Sequence, residues 1–240
     1  MTEDHRAKGG HTMKGEHTMK GGYSMSRGSI LIAALVLAAP AVTLGGTIAN
    51  SKHDLSATST AAVKSATQTD TCVFCHVTHN SQPGVARPLW SHTMTTQNLT
   101  WAPTTTVRGT TLPTSITSAA LANSRACMSC HDGTVALGDL LTGTGGTVSG
   151  PNVTGGKLTG GVNLLNPSNM QTNHPIGVGK PTAVVGFTNF KTVPPGTAVN
   201  YDSAGNVQCG SCHNPHDNTF QPFLKINPAG GAICLTCHDV

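Results

Sequence analysis

The chain has 240 residues, enough for one or two domains, yet only 10% are charged and 4% aromatic, against 28 glycines and 14 prolines. A sequence so thin in aromatic and aliphatic side chains is poorly equipped to fill a core with protein alone. The net charge of +4 belongs to the whole chain; from Asn50 onward nine Lys+Arg face seven Asp+Glu, a balance that gives no ground for nucleic-acid binding.

The first 24 residues repeat His11-Thr12-Met13-Lys14 as His17-Thr18-Met19-Lys20, and the histidines there (His5, His11, His17) are read as having no metal-binding role. Met25-Ser26-Arg27-Gly28-Ser29 has the form of a signal-peptide start, so translation is expected to begin at Met25 or Met19. Ile30 to Ala39 is an apolar run of ten, long enough for a signal h-region and too short for a membrane span. Cleavage is expected after Ala49 (Thr47-Ile48-Ala49), with Ala41 as the alternative. The competing reading is an uncleaved anchor, but the run is short even when extended through Leu44 and is broken by Pro40. The expected organisation is a signal peptide with an N-terminal extension over 1–49, one domain over 50–240, and no stable membrane span.

Within 50–240 the elements are expected to be few and short. Thr104–Thr111 and Thr182–Val193 have β-type composition. Ser115 to Cys130 is the best helix candidate, with good helix formers in its middle. Thr142–Gly161 reads as a Gly/Thr/Ser/Asn-rich loop, and Ala229 to His238 as a short helix weakened by Gly230 and Gly231.

Four stretches organise this domain: Cys72-Val73-Phe74-Cys75-His76, Cys127-Met128-Ser129-Cys130-His131, Cys209-Gly210-Ser211-Cys212-His213 and Cys234-Leu235-Thr236-Cys237-His238. They consume all 8 cysteines, and each reads C-x-x-C-H, the attachment site of a c-type haem. Positions i, i+3 and i+4 fall on one side of a single helical turn, so two thiols can bond the haem vinyls while the adjacent His points at the iron. The alternative is zinc held by thiolates, or disulfides. A zinc ribbon pairs its C-x-x-C units across roughly 15–20 residues, whereas 54 residues separate Cys75 from Cys130 and 78 separate Cys130 from Cys209. Neither zinc nor a disulfide calls for a His after every second Cys. Four covalent haems are therefore expected, with His76, His131, His213 and His238 as proximal ligands. Their apolar surface would supply the missing core, and their propionates would bring the exported chain to about −6. The expected fold is a mostly irregular, loop-rich multihaem cytochrome c, with short helices at the C-x-x-C-H sites, few short strands and a haem-stack core. Thioether attachment occurs outside the cytoplasm, in keeping with export.

The flanks alternate. Sites one and three read C-H-x-x-H (His76 to His79, His213 to His216), while sites two and four read C-H-D (Asp132, Asp239), as in a dihaem unit used twice. The histidines left for the far face of four irons are His53, His79, His92, His174 and His216, five in all. Met94, Met128 and Met170 are the methionines, and Met128 lies inside a C-x-x-C loop. The count favours four bis-His irons, with one candidate spare or donated to a neighbouring subunit. His79 and His216 lie three residues beyond a proximal His and cannot reach the opposite face of their own haem, so each would ligate a different one.

His53-Asp54-Leu55-Ser56, Cys72-Val73-Phe74-Cys75-His76-x-x-His79-Asn80, Pro88-Leu89-Trp90-x-His92, Cys127-x-x-Cys130-His131-Asp132-Gly133-Thr134-Val135-Ala136 and Asn173-His174-Pro175 resemble the multihaem c-type cytochromes of metal-reducing bacteria. With four haem motifs and five further histidines the chain is most similar to the OmcE-type tetrahaem cytochromes, which polymerise into extracellular filaments. The resemblance runs from about His53 to the C-terminus. It implies bis-His ligation, a continuous stack of haems and one distal ligand donated across the subunit interface. The C-H-T-P-H of that group appears here as His76-Val77-Thr78-His79, without the proline.

The expected function is electron transfer without a catalytic site, in a filament outside the cell or at its surface. The partners would be other copies of the chain, redox-partner cytochromes and external acceptors such as metal oxides. The alternatives are a soluble periplasmic carrier, a multihaem reductase with one open iron, and a membrane-anchored quinol dehydrogenase.

Overall fold

The computed structural model describes residues 47–106, 109–165, 170–179, 190–191, 193 and 196–239, all within the unit Leu44–Val240. The expected signal peptide lies outside the described residues except for 47–49, and so does most of the expected strand Thr182–Val193.

Regular structure is sparse because few stretches keep one periodicity for long. Among the described residues there are three two-stranded antiparallel ladders, each strand two residues long, two of which join segments distant in the chain. β1 (Lys64–Ser65) pairs with β2 (Val148–Ser149) in the register Lys64↔Ser149. β3 (Val153–Thr154) and β4 (Lys157–Leu158) form a hairpin. Its connecting Gly155 and Gly156 both have positive φ, +58° and +77°, the backbone that a two-residue hairpin turn demands. β5 (Val178–Gly179) pairs with β6 (Asn206–Val207) and so delivers Gln208 and Cys209 to the interior. Thr142–Gly161, expected as a loop, thus contains one hairpin and one side of another ladder. Thr104–Thr111 contributes a single bridge, Thr105↔Thr111.

The helices are shorter than composition suggests. α1 spans Arg125–His131, seven residues, instead of Ser115–Cys130. Ahead of it, Ser115 and Ser118 turn their hydroxyls onto the nearby backbone, accepting from Thr117 N at 3.2 Å and Ala120 N at 3.3 Å. Such local bonds compete with the helical ladder, and only a 3-10 turn forms over Ala119–Leu121. α2 (Cys209–Cys212) and α3 (Ala232–Leu235) have four residues each. The Gly230–Gly231 pair in front of α3 has φ of 64° and 73°, confining the helix to its last turn. Helices this short do not persist in water on their own, so tertiary contacts must hold them.

Those contacts come from two small apolar clusters. One gathers Leu99, Trp101, Leu112, Ile116, Leu121, Met128, Met170, Ile176 and Val178. The other is Phe74, Leu137 and Val148. Met128 and Met170 are fully enclosed in the first, 0% and 2% exposed. The second cluster borders Cys75 and Cys130, and the first borders Cys209. Each thus lies against the C-x-x-C-H turns. Among the described residues no helix is long and apolar enough to cross a membrane.

Candidate haem sites

All four motifs close the same turn. The amide of His76 donates to Cys72 O at 2.8 Å, His213 to Cys209 O at 3.0 Å and His238 to Cys234 O at 2.9 Å; in the second site the motif lies inside α1. Each turn therefore presents its two thiols and its imidazole on one side. The eight thiols are free. Burial pushes those of Cys75 and Cys130 up to about 12, an environment suited to a neutral sulfur such as a thioether and not to a thiolate. Successive sites adjoin through these sulfurs. Cys75 lies within electrostatic range of Cys130, Cys127 of Cys209, and Cys212 of both Cys234 and Cys237.

Three of the four motif imidazoles are oriented by backbone carbonyls. His76 Nδ1 donates to Pro88 O at 3.0 Å, His131 Nδ1 to Val162 O at 3.0 Å and His213 Nδ1 to Pro222 O at 2.9 Å. A carbonyl can only accept, so the proton sits on Nδ1 and the Nε2 lone pair is left for a metal. This is the usual outer bond of a metal-ligating histidine. His174 does the same with Pro175 O at 2.8 Å. Burial lowers the pKa of His131, His238 and His53, that of His53 to about 4 with the neighbouring His131 adding to the effect. All three are held in the neutral form that binds iron.

Three of the proximal histidines face a distal candidate. Ring centroids are 6.0 Å apart for His76 and His216, 6.1 Å for His131 and His53, and 6.2 Å for His238 and His174. His213 and His79 belong to no such pair among the described residues, and both are exposed. The Nδ1 of His79 meets the side chain of Asn80 at 3.1 Å instead of a carbonyl. His92 differs again. It is 0% exposed, with Nδ1 on its neighbour's carbonyl (Thr93 O, 2.9 Å) and Nε2 without a hydrogen-bond partner. The backbone of Ala136 and Leu137 lies beside its ring.

Of the supporting residues, Asp54 and Asp132 fall within motifs read from the sequence, whereas Ser124 and Gln208 do not. Asp54 accepts from Asn50 N, from the amide and hydroxyl of Ser56, and from Thr71 Oγ1, which ties the His53 loop to the residue before Cys72. Burial pushes this carboxyl up, but those donors outweigh it and hold the pKa at about 2. Asp132-Gly133-Thr134 ends α1. The Asp132 carboxylate takes Thr134 N at 2.9 Å and Thr134 Oγ1 at 2.7 Å, and Gly133 has φ +69° where a Cβ would strike Leu158 O at 2.6 Å. Between sites two and three lies a buried polar clamp. Ser124 Oγ donates to Gln208 Oε1 at 2.6 Å and accepts from Cys209 N at 3.1 Å, while Gln208 Nε2 reaches Ala120 O and Asp202 Oδ2, each at 2.7 Å. The alternating flanks pointed to His79, His216, Asp132 and Asp239; carbonyls and a lone glutamine left no pattern to read.

Turns that present two thiols and one carbonyl-oriented imidazole on the same side suit covalent c-type haem, and the motif is that of multihaem cytochromes, which bind haem for electron transfer. The family described as the doubled CXXCH motif matches residues 203–240. That span holds one C-H-x-x-H site and one C-H-D site, the pair that the chain repeats. No curated protein matches the chain.

Proposed function

We propose that the chain is a tetrahaem electron-transfer protein in which each iron is held between two histidines. The spacing of the three imidazole pairs carries this reading. A metal–imidazole bond is about 2 Å, so an iron between two rings sets their centroids roughly 6 Å apart; the pairs stand at 6.0–6.2 Å. His216 serves the iron of His76, His53 that of His131 and His174 that of His238. Saturated irons leave no open position for a substrate, which favours a carrier over a reductase. His92 also has Nδ1 on a carbonyl, but among the described residues it pairs with no histidine ring, so it is assigned as the surplus histidine. Sulfurs that adjoin from site one to site four favour haems in a continuous array.

The fourth iron, on His213, takes His79. Both are exposed and, among the described residues, neither pairs with another histidine ring, so a second copy supplies the ligand. One copy then offers a donor and the next an acceptor, which propagates head to tail into a filament, as the resemblance to filament-forming tetrahaem cytochromes implies. Export and delivery of electrons to external acceptors belong to the same proposal. The test is mass spectrometry and optical spectroscopy of the secreted protein. Four added haems, all low-spin and unreactive to carbon monoxide, are expected in the assembled material. His79→Ala should stop assembly and leave one iron in four reactive. Fewer than four haems, or carbon monoxide binding at an iron of the intact assembly, would refute the reading.

A further inference from the structure

We propose that Phe223 is a positioning residue that sets the His53 imidazole across the plane of His131, giving the iron between them crossed axial ligands, while the iron between His76 and His216 has near-parallel ones. This rests on the paired-histidine reading above.

An imidazole bound to iron through Nε2 can still turn about that bond unless the protein holds its plane. His131 is held by Nδ1 on Val162 O. His53 is held by the face of Phe223, which stacks on it with centroids 4.2 Å apart and planes 13° from parallel. Phe223 is itself fixed. It is 5% exposed, its carbonyl accepts from Asn214 N at 2.8 Å, and it keeps φ +59°, a backbone that bulky side chains seldom adopt. With both rings held, the planes of His53 and His131 meet at 71°. The pair His174 and His238 meets at 69°, whereas His76 and His216 lie within 21°. Pro222, the residue before Phe223, orients His213, so two adjacent residues set ligands of two different irons.

The angle has an electronic consequence. Parallel imidazoles donate π density into the same iron d orbital and split the pair; crossed imidazoles donate one into each and leave the pair nearly degenerate. Ferric low-spin iron then gives a rhombic resonance in the first case and a strongly anisotropic resonance, with one component at very large g, in the second. The same angle directs the half-filled orbital through which each iron exchanges its electron with its neighbours.

Low-temperature electron paramagnetic resonance of the oxidised, fully haem-loaded protein tests this. Both kinds of low-spin signal are expected in the native protein. Phe223→Leu, which keeps apolar bulk but removes the planar face, should lose one large-g component to a rhombic signal, with haem content and low-spin optical bands unchanged. Phe223→Tyr should keep the native pattern. A Phe223→Leu spectrum superimposable on the native one would overturn the role of Phe223. If that variant does not accumulate, the native spectrum decides, because wholly rhombic low-spin signals overturn the crossed geometry. Mostly high-spin signals would instead overturn the paired-histidine reading, and this inference with it.

Discussion

The clamp between sites two and three offers the most quantitative test. Gln208 is 3% exposed, and its amide makes three side-chain hydrogen bonds, to Ser124 Oγ, Ala120 O and Asp202 Oδ2. Gln208→Leu keeps the volume and the backbone bond to Ser211 Oγ but leaves the Ala120 carbonyl and the Ser124 hydroxyl without these partners. Asp202 keeps donors from Asn123, Ala204 and Asn206, so its loss is smaller. Two orphaned buried groups at about 1–2 kcal/mol each amount to about 3 kcal/mol. Taking a guanidinium slope of about 5 kcal/mol/M, the unfolding midpoint should fall by roughly 0.6 M. The measurement is equilibrium unfolding of the haem-loaded variant followed by far-ultraviolet circular dichroism, with haem content checked by mass. A midpoint within about 0.2 M of native, at unchanged slope, would refute the claim that this clamp holds sites two and three together.

His216→Ala should open the iron of His76, giving one high-spin, carbon-monoxide-reactive haem; an unchanged optical spectrum would remove His216 from the ligand set. His92→Asn should cost stability but leave the number of low-spin irons unaltered, and the appearance of a high-spin iron would make His92 a ligand. Burial pushes the Asp202 carboxyl up, but donors from Asn206, Gln208, Asn123 and Ala204 outweigh it and hold the folded pKa below 3.8. Its contribution is therefore complete above the unfolded value and fades as pH falls through the folded one. The stability gap between native protein and Asp202→Asn should shrink on acidification below about pH 4, and a gap constant down to pH 2 would contradict this. Gly177→Ala should destabilise by about 2–4 kcal/mol, because Gly177 has φ +70° and a Cβ there would lie 2.8 Å from both Leu121 Cδ2 and Pro113 Cγ; a shift below about 1 kcal/mol in thermal or guanidinium unfolding would show that the site relaxes.

The C-x-x-C-H turns were legible in the sequence because their chemistry lives within five residues. A thiol, a second thiol and an imidazole at i, i+3 and i+4 share one side of any helical turn, whatever surrounds it. The position of the helix leading into Cys127 was not legible, since Ser115 and Ser118 bond to local backbone where helix formers alone would propagate the turn. The hairpin at Val153–Leu158 was hidden for a similar reason: a Gly-Gly pair reads equally as slack or as a tight turn until its flanking strands are seen to pair. Which histidine ring stands opposite which motif histidine was out of reach of local sequence altogether. His53 meets His131 across 78 positions and His216 meets His76 across 140. Those meetings depend on carbonyls of Pro88 and Val162 and on the ring of Phe223, none of which carries a spacing rule. Identity and spacing settle what each site can bind, because that is local covalent geometry; only tertiary packing settles how the sites are ordered and turned, because that depends on contacts between residues far apart in the chain.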